Sequence, residues 1–286
     1  MFSQGVSAVA PAELVIALHC SGASAAQWRH LSEMLDDRFD LVAPEHYGCR
    51  ATGPWTGTHA FTLADEAART LAIIDAAEGK VHLVGHSYGG GVALHVAIER
   101  ADCIASLTLY EPSAFYLLKH IPCGADALAE IVAIAHKAGA GVVTGDYRGA
   151  AAAFVDYWSG EGAWRALRPE LQHSLTQWAP KAPLDFAALI EEPTEASAYD
   201  RLRCPTLIIR GEHAPRPTRL IAETLPQLLP NARLTVVGGA GHMGPLTHAG
   251  EVNALIVRHV AGVGVHHPRS VPHARDVSRS TTHSTM

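Results

Sequence analysis

The sequence predicts an α/β fold: a mostly parallel, doubly wound sheet with a helical segment inserted before its penultimate strand. Three observations carry this. Short runs rich in Val, Leu and Ile alternate with longer helix-like stretches. A Gly-x-Ser-x-Gly motif separates one such run from the helix-like stretch after it. From about Ser113 to Arg203 no strand pattern appears at all. Alternation of strand and helix builds a parallel sheet covered on both faces. An interval that long is no ordinary connection and implies a helical subdomain over the sheet.

Leu14–Leu18, Phe39–Ala43, Val81–Val84, Ser106–Tyr110, Thr206–Arg210 and Arg233–Val237 read as buried strands, each bounded by Gly, Pro or polar residues. Ala25–Asp37, Leu63–Glu78, Gly90–Arg100, Thr218–Leu229 and Ala249–Val260 read as the intervening helices. One further short strand has room near Val6–Ala10. Residues 1–112 and 204–262 are thus expected to form the core and 113–203 the cap. Residues 263–286, rich in Ser, Thr, Arg and His without apolar periodicity, are expected to be a disordered tail. The tail's His266, His267 and His273 offer only adventitious metal contacts.

The 286 residues suffice for a substantial core, and 48% hydrophobic with 17% charged residues describes a folded chain. A net charge of -6 without a basic run argues against nucleic acid or an anionic membrane as partner. Five cysteines without a C-x-x-C pair fit reduced thiols. No Lys or Arg precedes Arg29, and no apolar run approaches the ~20 residues of a membrane span. The expectation is a cytoplasmic protein; oligomeric state is left open.

Gly85-His86-Ser87-Tyr88-Gly89 follows the run VHLV and precedes GGVALHVAIER. A serine on a sharp strand-to-helix turn projects its hydroxyl above the sheet, and the flanking glycines let backbone approach closely. Ser87 is therefore the candidate nucleophile. In these motifs and their order, the stretch from about Leu14 to Val260 resembles the α/β-hydrolase superfamily. The resemblance implies the α/β-hydrolase fold, a small-molecule substrate, and neither cofactor nor metal.

A serine hydroxyl needs a base, and the base needs a partner that fixes its tautomer. The resemblance places the base at His242, in the Gly-rich loop after the last strand. Many members carry the acid after the penultimate strand, where this chain has Ala214. Two carboxylates remain: Glu111, ending the strand after the nucleophile's helix, and Glu212, two positions before Ala214. Glu111 is favoured because catalytic groups gather at the C-terminal edge of an open α/β sheet. The resemblance also gives the oxyanion donors as the amides of Ser21 and Tyr88, with the Cys20 amide as substitute. His86 is expected to be structural, and His248 to fall in the final helix. Among the insertion's aromatics, Trp158 and Trp178 are the candidate substrate contacts, although such residues also serve as a subdomain's own core.

The leading expectation is hydrolysis of a small or medium, largely apolar carboxylic ester through an acyl-enzyme on Ser87. C–C bond hydrolysis or cofactor-free perhydrolysis on the same scaffold is the alternative. A receptor without useful catalysis is a third reading, favoured only by Ala214. Serine at position 87 disfavours a haloalkane dehalogenase, and Met243 disfavours a plant-type hydroxynitrile lyase.

Overall fold

A computed structural model describes residues 12–263; the strand near Val6–Ala10 and the tail lie outside them. Six strands, β1 (Glu13–Leu18), β2 (Phe39–Val42), β3 (Val81–His86), β4 (Ile104–Tyr110), β5 (Thr206–Gly211) and β6 (Ala232–Val237), form one sheet in the order β2-β1-β3-β4-β5-β6. Every pairing is parallel. All six runs read from sequence are strands, displaced by at most two residues at either end.

Period-two alternation assigns the faces. Val15 and Ala17 of β1, with Leu207 and Ile209 of β5, pack with Leu31, Val252 and Ile256. These belong to α1 (Arg29–Met34) and to the last helix, Ala249–Gly262. Ile16, Leu18 and Ile208, which point the other way, pack with α2 (Leu63–Asp75) and α3 (Tyr88–Glu99). The sheet is therefore doubly wound. The expectation of burial fails at its two edges: Val42 and Val236 are exposed, because β2 and β6 each have one neighbour. The helix expected over Ala25–Asp37 is a 3-10 turn, Ala25–Trp28, followed by the short α1.

Between β4 and β5 run five helices: α4 (Gly124–Thr144), α5 (Tyr147–Ser159), α6 (Ala163–Ala166), α7 (Pro169–Trp178) and α8 (Ala182–Glu191). Ala138, Ala150, Val155, Trp164, Leu175 and Trp178 make a small core of their own there. No apolar run of spanning length is expected from the sequence, yet α4 has 21 residues and holds an 18-residue stretch of mean hydropathy 1.3, enough by length and composition alone. In the fold it packs beside α5 and α8. The chain closes with α9 (Arg216–Leu228), α10 (Gly244–Thr247) and α11 (Ala249–Gly262).

Candidate active site

The loops after β1, β3, β4 and β6 leave the sheet at its carboxyl edge, beside the point where the strand order reverses, and there the candidate residues meet. Ser87 lies between β3 and α3 with φ 54° and ψ -117°, a conformation non-glycine residues rarely adopt. The turn is held from three sides. Its carbonyl accepts from the amides of Gly90, Gly91 and Ser113 at 2.9, 3.0 and 2.9 Å. Both glycines of the motif are required by space. A Cβ on Gly85 would stand 2.5 Å from the Gly89 carbonyl oxygen, and one on Gly89 2.4 Å from that of Leu18.

His242 Nε2 lies 2.8 Å from Ser87 Oγ, and its Nδ1 lies 2.7 Å from Glu111 Oε2. A carboxylate on Nδ1 assigns the ring proton there and leaves Nε2 as the acceptor. Glu111 is completely buried. Its Oε2 also accepts from the Thr218 hydroxyl at 2.8 Å, and its Oε1 accepts from the Gly211 amide at 2.9 Å. Three donors thus surround one buried carboxylate, as its desolvation demands. The residue too is bent, with φ 41°. Glu212 stands apart from the imidazole: its Oε2 accepts from the Gly239 amide at 2.8 Å and ties down the histidine's loop.

The rest of that loop is clamped. His86 Nε2–H donates to the His242 carbonyl at 2.9 Å, and the Tyr110 hydroxyl donates to the Gly241 carbonyl at 2.7 Å. Burial pushes His86 well below the ordinary histidine range, so it stays neutral as a brace. His248 caps α11 and lies on the cavity wall.

The Tyr88 amide begins α3, where no intrahelical acceptor exists. The Ser21 amide lies on the loop after β1, which turns at Gly22 with φ 71°. The Cys20 amide is not free to substitute for it, since it donates to Gln27 Oε1 at 3.1 Å. Burial pushes the Cys20 thiol up to about 12, which removes it as a competing nucleophile.

Ser87 and His242 open into a cavity of about 850 Å³ walled by Phe154, Tyr157, Trp158, Leu171, Leu175, Met243 and Leu246. Trp158 also stacks on His242, with ring centroids 4.2 Å apart and planes at 30°. Trp178 does not reach the cavity. It sits in the insertion's own core, its ring centroid 4.8 Å from that of Phe154, and against Gly22.

Several participants escaped the sequence reading. Ser113 Oγ stands 3.2 Å from Ser87 Oγ, and its nearness to Glu111 in the turn Glu-Pro-Ser was the available signal. Lys181 and Asp185 on the insertion join Glu66 in a buried cluster. Lys181 Nζ donates to Glu66 Oε2 at 2.9 Å and to Asp185, while Asp185 Oδ2 accepts from the Ser21 hydroxyl at 2.7 Å. The Tyr88 hydroxyl donates to the same Glu66 oxygen at 2.7 Å. The cluster thereby ties the insertion to both residues whose amides are oxyanion candidates. Burial and the Glu66 charge push Asp185 up, while Asp185 and Glu66 hold Lys181 charged against the cost of burial.

A sequence model described as "Alpha/beta hydrolase family" matches residues 15–255. The chain belongs to the alpha/beta hydrolase family. Lipase LipV of Mycobacterium tuberculosis is 33% identical over 87 residues, 30% of this chain and 32% of the lipase. The dihydrolipoyllysine-residue acetyltransferase component of the acetoin cleaving system of Cupriavidus necator is 27% identical over 261 residues. That match takes in 88% of this chain and 64% of the relative. The family member thus spans from about a third to just under two thirds of these relatives. Among solved structures, MenH from S. aureus superposes with a TM-score of 0.67 at 19% identity, covering 89% of this chain and 96% of that one. At that identity the likeness is one of fold.

Proposed function

We propose that the protein is a serine esterase that hydrolyses small or medium, largely apolar carboxylic esters through an acyl-enzyme on Ser87. One observation carries the reading: Ser87, His242 and Glu111 form an unbroken hydrogen-bonded chain at 2.8 and 2.7 Å, at the end of an apolar cavity. His242 Nε2 takes the Ser87 proton as Oγ attacks the ester carbonyl, and the buried Glu111 carboxylate balances the imidazolium that forms. The amides of Ser21 and Tyr88 receive the oxyanion, a donation worth about 3 kcal/mol each in enzymes of this kind. His242 then returns the proton to the leaving alkoxide. Water, deprotonated by the same nitrogen, releases the acid. Ala214 alone favoured a receptor, and it loses that weight when a carboxylate reaches Nδ1 from β4. Five free thiols, Cys20, Cys49, Cys103, Cys123 and Cys204, support a reducing cytoplasmic setting.

The test pairs a fluorophosphonate label with p-nitrophenyl esters of increasing acyl length. The expected result is stoichiometric labelling and ester turnover, both absent in Ser87→Ala. Labelling that persists in the folded variant, or a labelled wild type that turns over no ester, would overturn the proposal.

A further inference from the structure

Behind the loop that carries Ser21, three side chains outside the triad converge. His19 Nε2 lies 3.2 Å from Glu45 Oε2 and 3.7 Å from Cys49 Sγ, and the three atoms all lie within 4.8 Å of one another. His19 is buried, and its Nδ1–H donates to the Cys20 carbonyl at 2.8 Å, so in the neutral ring the lone pair is on Nε2. Glu45 Oε2 is itself buried and has no hydrogen-bond donor among the described residues. The His46 amide meets the Nε2 lone pair at 3.2 Å, which leaves the buried Glu45 oxygen as the atom without a donor, a cost unless something positive lies beside it. A second proton on the imidazole would suffice for Glu45 alone, but Cys49 adds a sulfur as a third convergent donor.

We propose that His19, Glu45 and Cys49 bind one thiophilic divalent cation, Zn²⁺ by the chemistry of the donors, bridging the loop after β1 to the loop after β2. A tetrahedral zinc with ordinary bond lengths separates its nitrogen and oxygen ligands by about 3.4 Å and its nitrogen and sulfur ligands by about 3.6 Å. The observed 3.2 and 3.7 Å need little adjustment. Outer partners are already in place: the Cys20 carbonyl orients the imidazole, and the Ala25 amide donates to Glu45 Oε1 at 3.1 Å. Two weak contacts would give way. The His46 amide now donates to His19 Nε2 at 3.2 Å, and the Cys49 thiol to the Ala23 carbonyl at 3.4 Å. Binding converts the thiol to a thiolate and releases one proton to solvent, with water as the fourth ligand. The cation would fix the backbone that leads into Ser21, yet its binding does not depend on the esterase reading.

The probe is Co²⁺ titrated into the full-length chain, followed by absorbance and calorimetry. The expected result is one ion per chain with a near-ultraviolet thiolate-to-cobalt charge-transfer band. Cys49→Ser should abolish the band and weaken binding more than ~100-fold, beyond what loss of an outer partner does, and Glu45→Gln should weaken it more than ~10-fold. Zn²⁺ should raise the melting temperature of the wild type but not of Cys49→Ser. Binding without a thiolate band, the pattern the tail histidines would give, overturns the proposal. So does a band that survives in folded Cys49→Ser.

Discussion

Replacing Glu111 by glutamine removes a charge while keeping the shape, and both orientations of the new amide create a mismatch. If the amide nitrogen takes the place of Oε2, it donates toward His242 Nδ1, now 2.7 Å from that atom. The ring must then carry its proton on Nε2, which can no longer accept from Ser87. If the amide turns over, its nitrogen faces the Gly211 amide, 2.9 Å away, and donor meets donor. That mismatch costs roughly 1–3 kcal/mol, and the carboxylate's charge is lost from the imidazolium in either orientation. Asparagine for aspartate in a serine-protease triad lowers kcat about 10⁴-fold by the same tautomer fault. For Glu111→Gln the expected fall is about 10³- to 10⁴-fold, which is ~4–5.5 kcal/mol at 1.36 per decade. Glu212→Gln disturbs only the Gly239 amide and should keep kcat within about threefold. The assay is p-nitrophenyl ester hydrolysis with active sites counted by fluorophosphonate burst, and circular dichroism to confirm folding. A folded Glu111→Gln enzyme retaining more than about a tenth of wild-type kcat would refute the reasoning, as would an equal loss in Glu212→Gln.

Trp158 stacks on the base, and an aromatic face favours the imidazolium by about 1–2 kcal/mol. Trp158→Leu should therefore lower kcat about tenfold and Trp158→Phe less than about threefold; equal losses in steady-state kinetics would exclude a role for the ring face. Lys181→Met leaves the buried Glu66 and Asp185 carboxylates facing each other without a cation. A loss of ~3–5 kcal/mol is expected, read as a drop of roughly 10 °C or more in thermal denaturation, and an unchanged melting point would contradict it. Burial holds His259 down to about 4, and His82 and His86 share the direction. Such a group binds fewer protons folded than unfolded. Its contribution is whole above the ordinary 6.5, shrinks as pH falls from there toward about 4, and then levels off. Guanidinium midpoints should fall across that window, and His259→Gln should flatten the slope by about one proton, ~1.4 kcal/mol per pH unit; an identical slope would count against this.

The parts of the molecule that were legible in the sequence share a cause, and so do those that were not. Strand ends in a parallel sheet lie at one edge whatever surrounds them, so Ser87 after β3 could be placed from its motif between strand and helix, and His242 after β6 from the family resemblance. Edge exposure was not legible, because Phe39–Val42 and Ala232–Val237 are as apolar as the inner strands and only the sheet order sets them outside. What the insertion contributes was harder still. Trp158 and Trp178 are both aromatic, both on helices and both buried, and only the packing of α5 against α7 puts one on the cavity wall and the other behind it. Lys181 and Asp185 have the i,i+4 spacing of a surface pair, but their third partner, Glu66, is more than a hundred residues away in sequence.

The acid lies between these cases. Its absence from position 214 was plain, but two carboxylates could replace it, and the sheet order explains why the choice fell to β4. That strand lies between β3, which carries the nucleophile, and β5, where Ala214 follows. Adjacent strands are ~4.8 Å apart, so moving the acid from β5 to β4 shifts its backbone by one strand spacing toward Ser87. A glutamate, one methylene longer than aspartate, reaches back from there to His242 Nδ1. The same move leaves the carboxylate beside the end of β5, where the Gly211 amide donates to Oε1 and Thr218, two residues into α9, donates to Oε2. The vacated strand and the helix after it thus supply the donors that hold the relocated acid. An acid restored at Ala214 would therefore not replace Glu111 unless it were met by the donors that β5 and α9 now give to Glu111.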